Sequence, residues 1–294
     1  MESVHKTVLL NETIDGLNIK SGATVVDATF GGGGHSREIC RRFKFKDVKI
    51  IAIDQDKSAW DKAKSKFEDC HCNIKFINSN FSEIGSLEKV DGIIFDLGLS
   101  SDQLENSGRG FSFMKREPLL MTMKENPSAE DLTAMDIVNG WSEKSLADII
   151  YGYGEEKYRG RIAREIVDNR KKKRIETTQD LVSIIEHAVP GSYRKGKIHC
   201  ATRTFQALRI AVNDELGVLE RGLEQGFKIL KSGGRMSTIS FHSLEDRIVK
   251  KIYKEKEKEG LAKLINKKVI LASEEELKIN NRSRSAKLRI LEKI

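Results

Sequence analysis

The chain has 294 residues, of which 38% are hydrophobic and 33% charged, with a formal charge of +8; a length near twice ~150 residues suits two domains. No apolar run approaches the ~20 residues of a membrane helix, and a mixed composition with only three prolines excludes a fibrous or low-complexity chain. The excess of Lys and Arg favours an anionic partner, because these side chains release condensed counterions when they meet phosphates. Four cysteines without CxxC spacing point to reduced thiols. The opening residues show neither an apolar leader core nor an Arg-rich presequence, so a cytoplasmic location with no membrane partner is expected.

Residues 23–29 (ATVVDAT) are a short β-rich run ending at a glycine cluster, and a helix-like stretch follows over 35–45. Strands are expected at 48–54, 73–78 and 90–97, with a helix at 57–69. Alternating strands and helices imply a parallel, doubly wound α/β sheet. Between the second and third strands, Cys70-His71-Cys72 has no second ligand pair and reads as structural; no metal is expected. From 128 to 188 the pattern is helical, with segments at 128–139, 142–151, 155–170 and 177–188, the first and last carrying S-x-x-D and T-x-x-D caps. A long helix is expected over 202–230, then a strand at 235–241 and a helix from 244, with 267–271 and 286–291 able to finish the sheet. The division is a discontinuous catalytic domain, 1–105 and 200–294, around an inserted helical substrate-recognition domain, 106–199.

The motif DATFGGGGHS (27–36) sits where the first strand meets the first helix. Glycines there let a ligand approach backbone N–H groups at a helix N-terminus. Asp54, twenty residues past Gly34, ends the second strand, from which a carboxylate reaches both ribose hydroxyls. An NAD fingerprint would need glycine at Ser36 and a P-loop would need Gly-Lys-Ser/Thr, so S-adenosyl-L-methionine is the better fit. Asp96 ends the fourth strand, at the sheet edge where open α/β sheets bind ligands. Ser243, with Asp246 three residues on, reads as a helix cap. Among the basic runs, 170–174 (RKKKR) has no interspersed acids and is the better phosphate candidate, while 250–258 reads as a solvated helix face.

These motifs, with VDGIIFDLGLSSDQL, RGFSF, YGEEKYRGRIAREIV, ATRTFQALRIAVNDEL, SFHSLEDRIVK and NRSRSAKLRI, make the chain resemble the bacterial 16S rRNA cytosine-N4 methyltransferase family, formerly called MraW, along nearly its whole length. The resemblance implies a class I methyltransferase fold with an inserted helical domain. It also implies methylation of a decoding-region cytidine in 16S rRNA within the small ribosomal subunit, by a monomer or homodimer. The family's cofactor positions carry over to Gly33, Gly34, His35, Asp54, Phe81, Asp96 and Gln103. Phe81 can stack on adenine or belong to the core. The catalytic candidates are Asp96, Ser100 and His242; the RNA-binding candidates are Arg109, Arg170, Lys171, Lys172, Lys173 and Arg203.

Leu120 and Thr122 stand where the family usually has Asp and Arg, which puts RNA docking in question, and Cys200 stands in a proline position. Methylation at C5 would need a cysteine nucleophile, for which Cys200 is the lone candidate, so amine methylation is preferred. The rival readings are a methyltransferase-like RNA or ribosome binder without turnover, and N-methylation of a different base.

Overall fold

A computed structural model describes residues 6–44, 47–68, 70, 72–99, 104, 107–124 and 127–294. The β-branched runs form β1 (Thr24–Asp27), β2 (Lys49–Asp54), β3 (Asn73–Asn78), β4 (Val90–Asp96) and β5 (Leu230–Ser240), all paired in parallel. Two antiparallel strands, β6 (Ala262–Leu264) and β7 (Lys287–Lys293), complete the order β3-β2-β1-β4-β5-β7-β6. The doubly wound α/β expectation holds, with the edge beyond β5 antiparallel rather than parallel. This strand order is compatible with the fold that the family resemblance implies. Residues 267–271 supply only an isolated bridge, Ile270 to Leu288, and not a strand; their place beside β7 is taken by β6.

Central strands covered on both faces should be apolar throughout, and Val90, Ile93, Ile94 and Phe95 of β4 are fully buried. Strand order reverses between β1 and β4, which opens a crevice at their carboxyl ends. Helices α1 (Leu10–Leu17), α2 (Gly34–Arg42) and α3 (Lys57–Lys64) accompany this half of the sheet. Asp56 caps α3 by accepting from the Ser58 N–H, and Ile14, Leu17 and Ile39 join Val25 of β1, Ile50 of β2 and Ile94 of β4 in one buried cluster.

Residues 99–215 make a second compact unit. It holds α4 (Ala134–Gly140), α5 (Glu143–Gly152), α6 (Arg159–Arg170), α7 (Thr178–Ala188), the short α8 (Gly191–Arg194) and α9 (Thr202–Asn213). Leu119, Ile137, Leu146, Ile150, Ile162, Ile185 and Leu208 form its core. Thr177 and Asp180 close the expected capping box on α7. The box on α4 is instead Thr133 with Asp136, and the earlier Ser128 and Asp131 only close a turn. A left-handed Glu155, φ 51°, delays α6 to Arg159.

The single helix expected over 202–230 is two helices, because Asp214 adopts φ 46° and ψ 40° between α9 and α10 (Glu215–Ile229). β5 then starts at Leu230 rather than 235, carried through left-handed Gly233. Helices α11 (Ser243–Lys258) and α12 (Glu274–Ile279) complete the first unit. Among the described residues no helix is long and apolar enough to cross a membrane.

Candidate functional site

The carboxyl ends of β1, β2 and β4 converge on the glycine loop. At the end of β1, Ala28 N–H donates to the Ile94 carbonyl and Thr29 Oγ1 accepts from Asp96 N–H at 2.6 Å, locking β1 to β4. The loop then turns through Gly31 and Gly33, at φ 50° and 73°, conformations costly for residues with a Cβ. A Cβ on Gly33 would stand 2.7 Å from the Phe30 ring, and one on Gly34 would strike Thr7, whereas above Gly32 there is open space. Backbone is therefore the loop's accessible surface.

Asp54 ties β2 to this loop. Its Oδ2 accepts from Gly31 N–H at 2.7 Å and its Oδ1 from Asp56 N–H at 2.8 Å. Burial outweighs those bonds and pushes its carboxyl up to about 6. Asp27, 1% exposed, accepts from the Ser36 hydroxyl at 2.6 Å, and burial likewise raises it to about 6. Asp96 is raised well above the usual carboxylate range by burial, with the nearby acids Asp27 and Glu245 adding to it. His35, buried on the first turn of α2, places Nδ1 3.7 Å from Asp96 Oδ2. Three acids with one imidazole among them make a centre that favours a positively charged ligand.

Of the residues singled out from sequence, Gly33, Gly34, His35, Asp54 and Asp96 lie at these converging ends. Ser100 and Gln103 lie outside the described residues. The Phe81 ring packs edge-on against Phe95 at 5.6 Å and lies over Gly222, where a Cβ would be 2.5 Å from it, so packing is its observed role. His242, not Ser243, caps α11: its Nδ1 accepts from Glu245 N–H at 3.4 Å and its Nε2 stands 3.2 Å from Glu245 Oε1. Nδ1 thus serves as the cap, while the buried Nε2 makes no hydrogen bond among the described residues. Asp27 was missed as a site residue, although it opens the glycine motif; its signal was a carboxylate ending an otherwise apolar strand.

Two of the basic candidates are structural. Arg109 is 7% exposed and donates to the carbonyls of Met123 and Lys124, each at 2.9 Å, so no phosphate reaches it in this arrangement. Arg170 donates to the Val138 and Trp141 carbonyls at 2.9 and 2.7 Å, closing the end of α4. Lys171, Lys172 and Lys173 are exposed, Lys171 pairing with Asp168 and Lys173 facing Asp180. Arg203 donates to the Glu155 carbonyl at 3.0 Å. The segment carrying Leu120 and Thr122 is held without the missing ion pair: the Leu120 carbonyl accepts from Ala134 N–H, Met121 N–H donates to the Arg109 carbonyl, and Thr122 Oγ1 accepts from Lys124 N–H.

Residues 2–294 match the MraW methylase family. The chain belongs to that family. It is 45% identical to ribosomal RNA small subunit methyltransferase H of Lactobacillus johnsonii and 47% identical to the protein of the same name from Clostridium botulinum, in both cases over 100% of each chain. A solved rRNA methylase of Streptococcus thermophilus matches with 12% identity and a TM-score of 0.47 over 98% of each chain.

Proposed function

We propose that the protein transfers a methyl group from S-adenosyl-L-methionine to the exocyclic N4 of a cytidine in small-subunit ribosomal RNA, in the cytoplasm. The observation that carries this reading is the convergence of an open backbone loop, Asp54, and the pair Asp27 and Asp96 at one sheet edge. The residues suit the cofactor: Asp54 has lone pairs to spare for ribose hydroxyls, and a buried acidic centre favours a sulfonium cation. Gly33, Gly34 and His35 would line the approach to it. When bound, S-adenosylmethionine supplies its sulfonium methyl, leaving S-adenosylhomocysteine and a proton as the other products.

The chain's own task is then to position the amine and take up that proton. Cytosine N4 is a weak nucleophile because its lone pair is delocalised into the ring. Asp96 can accept an N–H of the amine, direct the lone pair, and receive the proton as the N4–CH3 bond forms; a carboxylate raised toward neutrality is suited to this. Orientation supplies several further kcal/mol. The exposed Lys171 to Lys173 remain candidates for RNA phosphate, and the unit formed by residues 99–215 for substrate recognition.

The test is incubation of naked 16S RNA and of assembled small subunits with labelled S-adenosylmethionine, followed by nucleoside analysis. Labelled N4-methylcytidine supports the reading. Label on another base, or none on either substrate, sinks it.

A further inference from the structure

The segment YGEEKYRGR, residues 153–161 with the preceding Tyr151 at the end of α5, is a strong sequence feature that the cofactor site does not use. Glu156 within it is fully buried, although it carries a carboxyl group. Burial of an acid is costly unless its oxygens are hydrogen-bonded. Here Oε1 accepts from Tyr158 N–H at 2.8 Å and Oε2 from the Tyr193 hydroxyl at 2.5 Å. The two tyrosines meet edge-to-face, with centroids 4.8 Å apart and planes at 69°. A buried carboxylate thus fixes a pair of rings at the surface. Burial and this bond push the Tyr193 phenol up to about 12, so it remains a donor throughout the physiological range.

Cations lie over these rings. Lys157 Nζ stands 5.0 Å from the Tyr158 centroid and 5.2 Å from that of Tyr193, and the Arg161 guanidinium 5.9 Å from Tyr158. Arg159 lies 4.0 Å over Tyr151, a ring 56% exposed. Among the described residues, Lys157, Arg159 and Arg161 have tyrosine rings, and not carboxylates, as side-chain partners. Interleaved ring faces and uncompensated cations are what proteins use to hold unpaired nucleic acid, with bases stacked on the rings and phosphates on the cations. A duplex cannot use the rings, since its bases are already stacked.

We propose that this surface of the helical unit holds a single-stranded stretch of the RNA substrate, bases stacking on Tyr151 and Tyr158 and phosphates meeting Lys157, Arg159 and Arg161. The proposal rests on the rRNA methyltransferase reading for the identity of the RNA, and on the surface alone for the mode of contact.

The test uses the full chain without methyl donor and measures fluorescence anisotropy of one RNA sequence, as an unstructured single strand and as a duplex, over a salt series. The parent protein should prefer the single strand. Tyr151→Ala should weaken that binding about tenfold with the salt slope unchanged, since stacking carries no charge. The double variant Lys157→Gln, Arg161→Gln should lower the slope by about 1.4, at about 0.7 for each phosphate no longer neutralised. These side chains are exposed or half-exposed, and circular dichroism confirms folding. Single-strand binding unchanged in both variants, or duplex bound as tightly as single strand by the parent, would overturn the proposal. So would polyglutamate binding as tightly as RNA and insensitive to Tyr151→Ala, which marks an acidic protein partner. Failure of the parent to methylate ribosomal RNA while the variants lose single-strand binding removes the enzymatic reading and leaves this surface standing.

Discussion

His35 Nδ1 and Asp96 Oδ2 stand 3.7 Å apart, joining the first turn of α2 to the end of β4. The contact links two sequence motifs 61 residues apart and sets an imidazole against the acid assigned to the amine. Asp96→Asn keeps the shape but removes the charge and the ability to take a proton. The expected result is a fall of about a hundredfold in kcat at saturating cofactor. Single-turnover rates at saturating S-adenosylmethionine on small-subunit RNA measure it. A rate within a few-fold of the parent would move the role to the backbone of the loop after Asp96.

The raised carboxyls of Asp27 and Asp54 give pH dependences of opposite sign for folding and for binding. Each moves from 3.8 to about 6 in the folded chain, so the folded state holds these protons more tightly than the unfolded one. Their contribution to stability is therefore fully present below pH 3.8 and is lost as pH rises to about 6. A cofactor that donates hydroxyls to Asp54 needs the ionised form of that one carboxyl, so a single proton competes with it. Its affinity should rise about tenfold between about pH 5 and pH 7 and then level off. Calorimetry across that range checks this, and Asp54→Asn should flatten the curve. A parent profile that is flat would remove Asp54 from the binding site.

Gly33 combines φ 73° with a Cβ position 2.7 Å from the Phe30 ring. Gly33→Ala should lower stability by about 1 to 3 kcal/mol through backbone strain and overpacking. The loss appears as a lower denaturation midpoint with the m-value unchanged. Stability equal to the parent would mean that the loop re-forms without the left-handed turn.

Arg170 is assigned to the carbonyls ending α4 and not to RNA. Arg170→Ala should reduce stability by about 1 to 3 kcal/mol, the range for buried groups left without a partner. The salt dependence of RNA affinity should be unaltered. A flattened salt slope with parent-like stability would reverse the assignment and return this arginine to the phosphate-binding set.

Much of the site was legible from residue order alone. β1, β2 and β4 are β-branched runs each ending in an aspartate, and their order with intervening helices dictates a parallel sheet whose carboxyl ends meet. That is why residue order alone singles out the glycine motif, Asp54 and Asp96, while Gly33, Gly34 and His35 are named individually by the family resemblance. Thr177 was equally legible, since a cap acts within three residues of itself.

Other features depend on partners brought from far along the chain. Arg170 opens a basic run and Arg109 stands between two glycines, yet each meets backbone carbonyls that folding brings to it, from 14 to 32 residues away. His242 became the cap of α11 because its ring reaches Glu245, a choice that the neighbouring Ser243 concealed. The break falls at Asn213-Asp214, weak helix formers that tolerate a left-handed backbone, a local signal that the long apolar period over 202–230 masked. The choice for Phe81 between stacking and core resolves toward packing because Gly222, 141 residues on, lies beneath its ring. Amino-acid order determined which elements form and which edge of the sheet carries the chemistry, because periodicity and capping are local. Which cation meets a carbonyl, which carboxyl is pushed toward neutrality and which rings are held at the surface was decided by tertiary structure, because burial and charge act through space between groups that the chain order keeps apart.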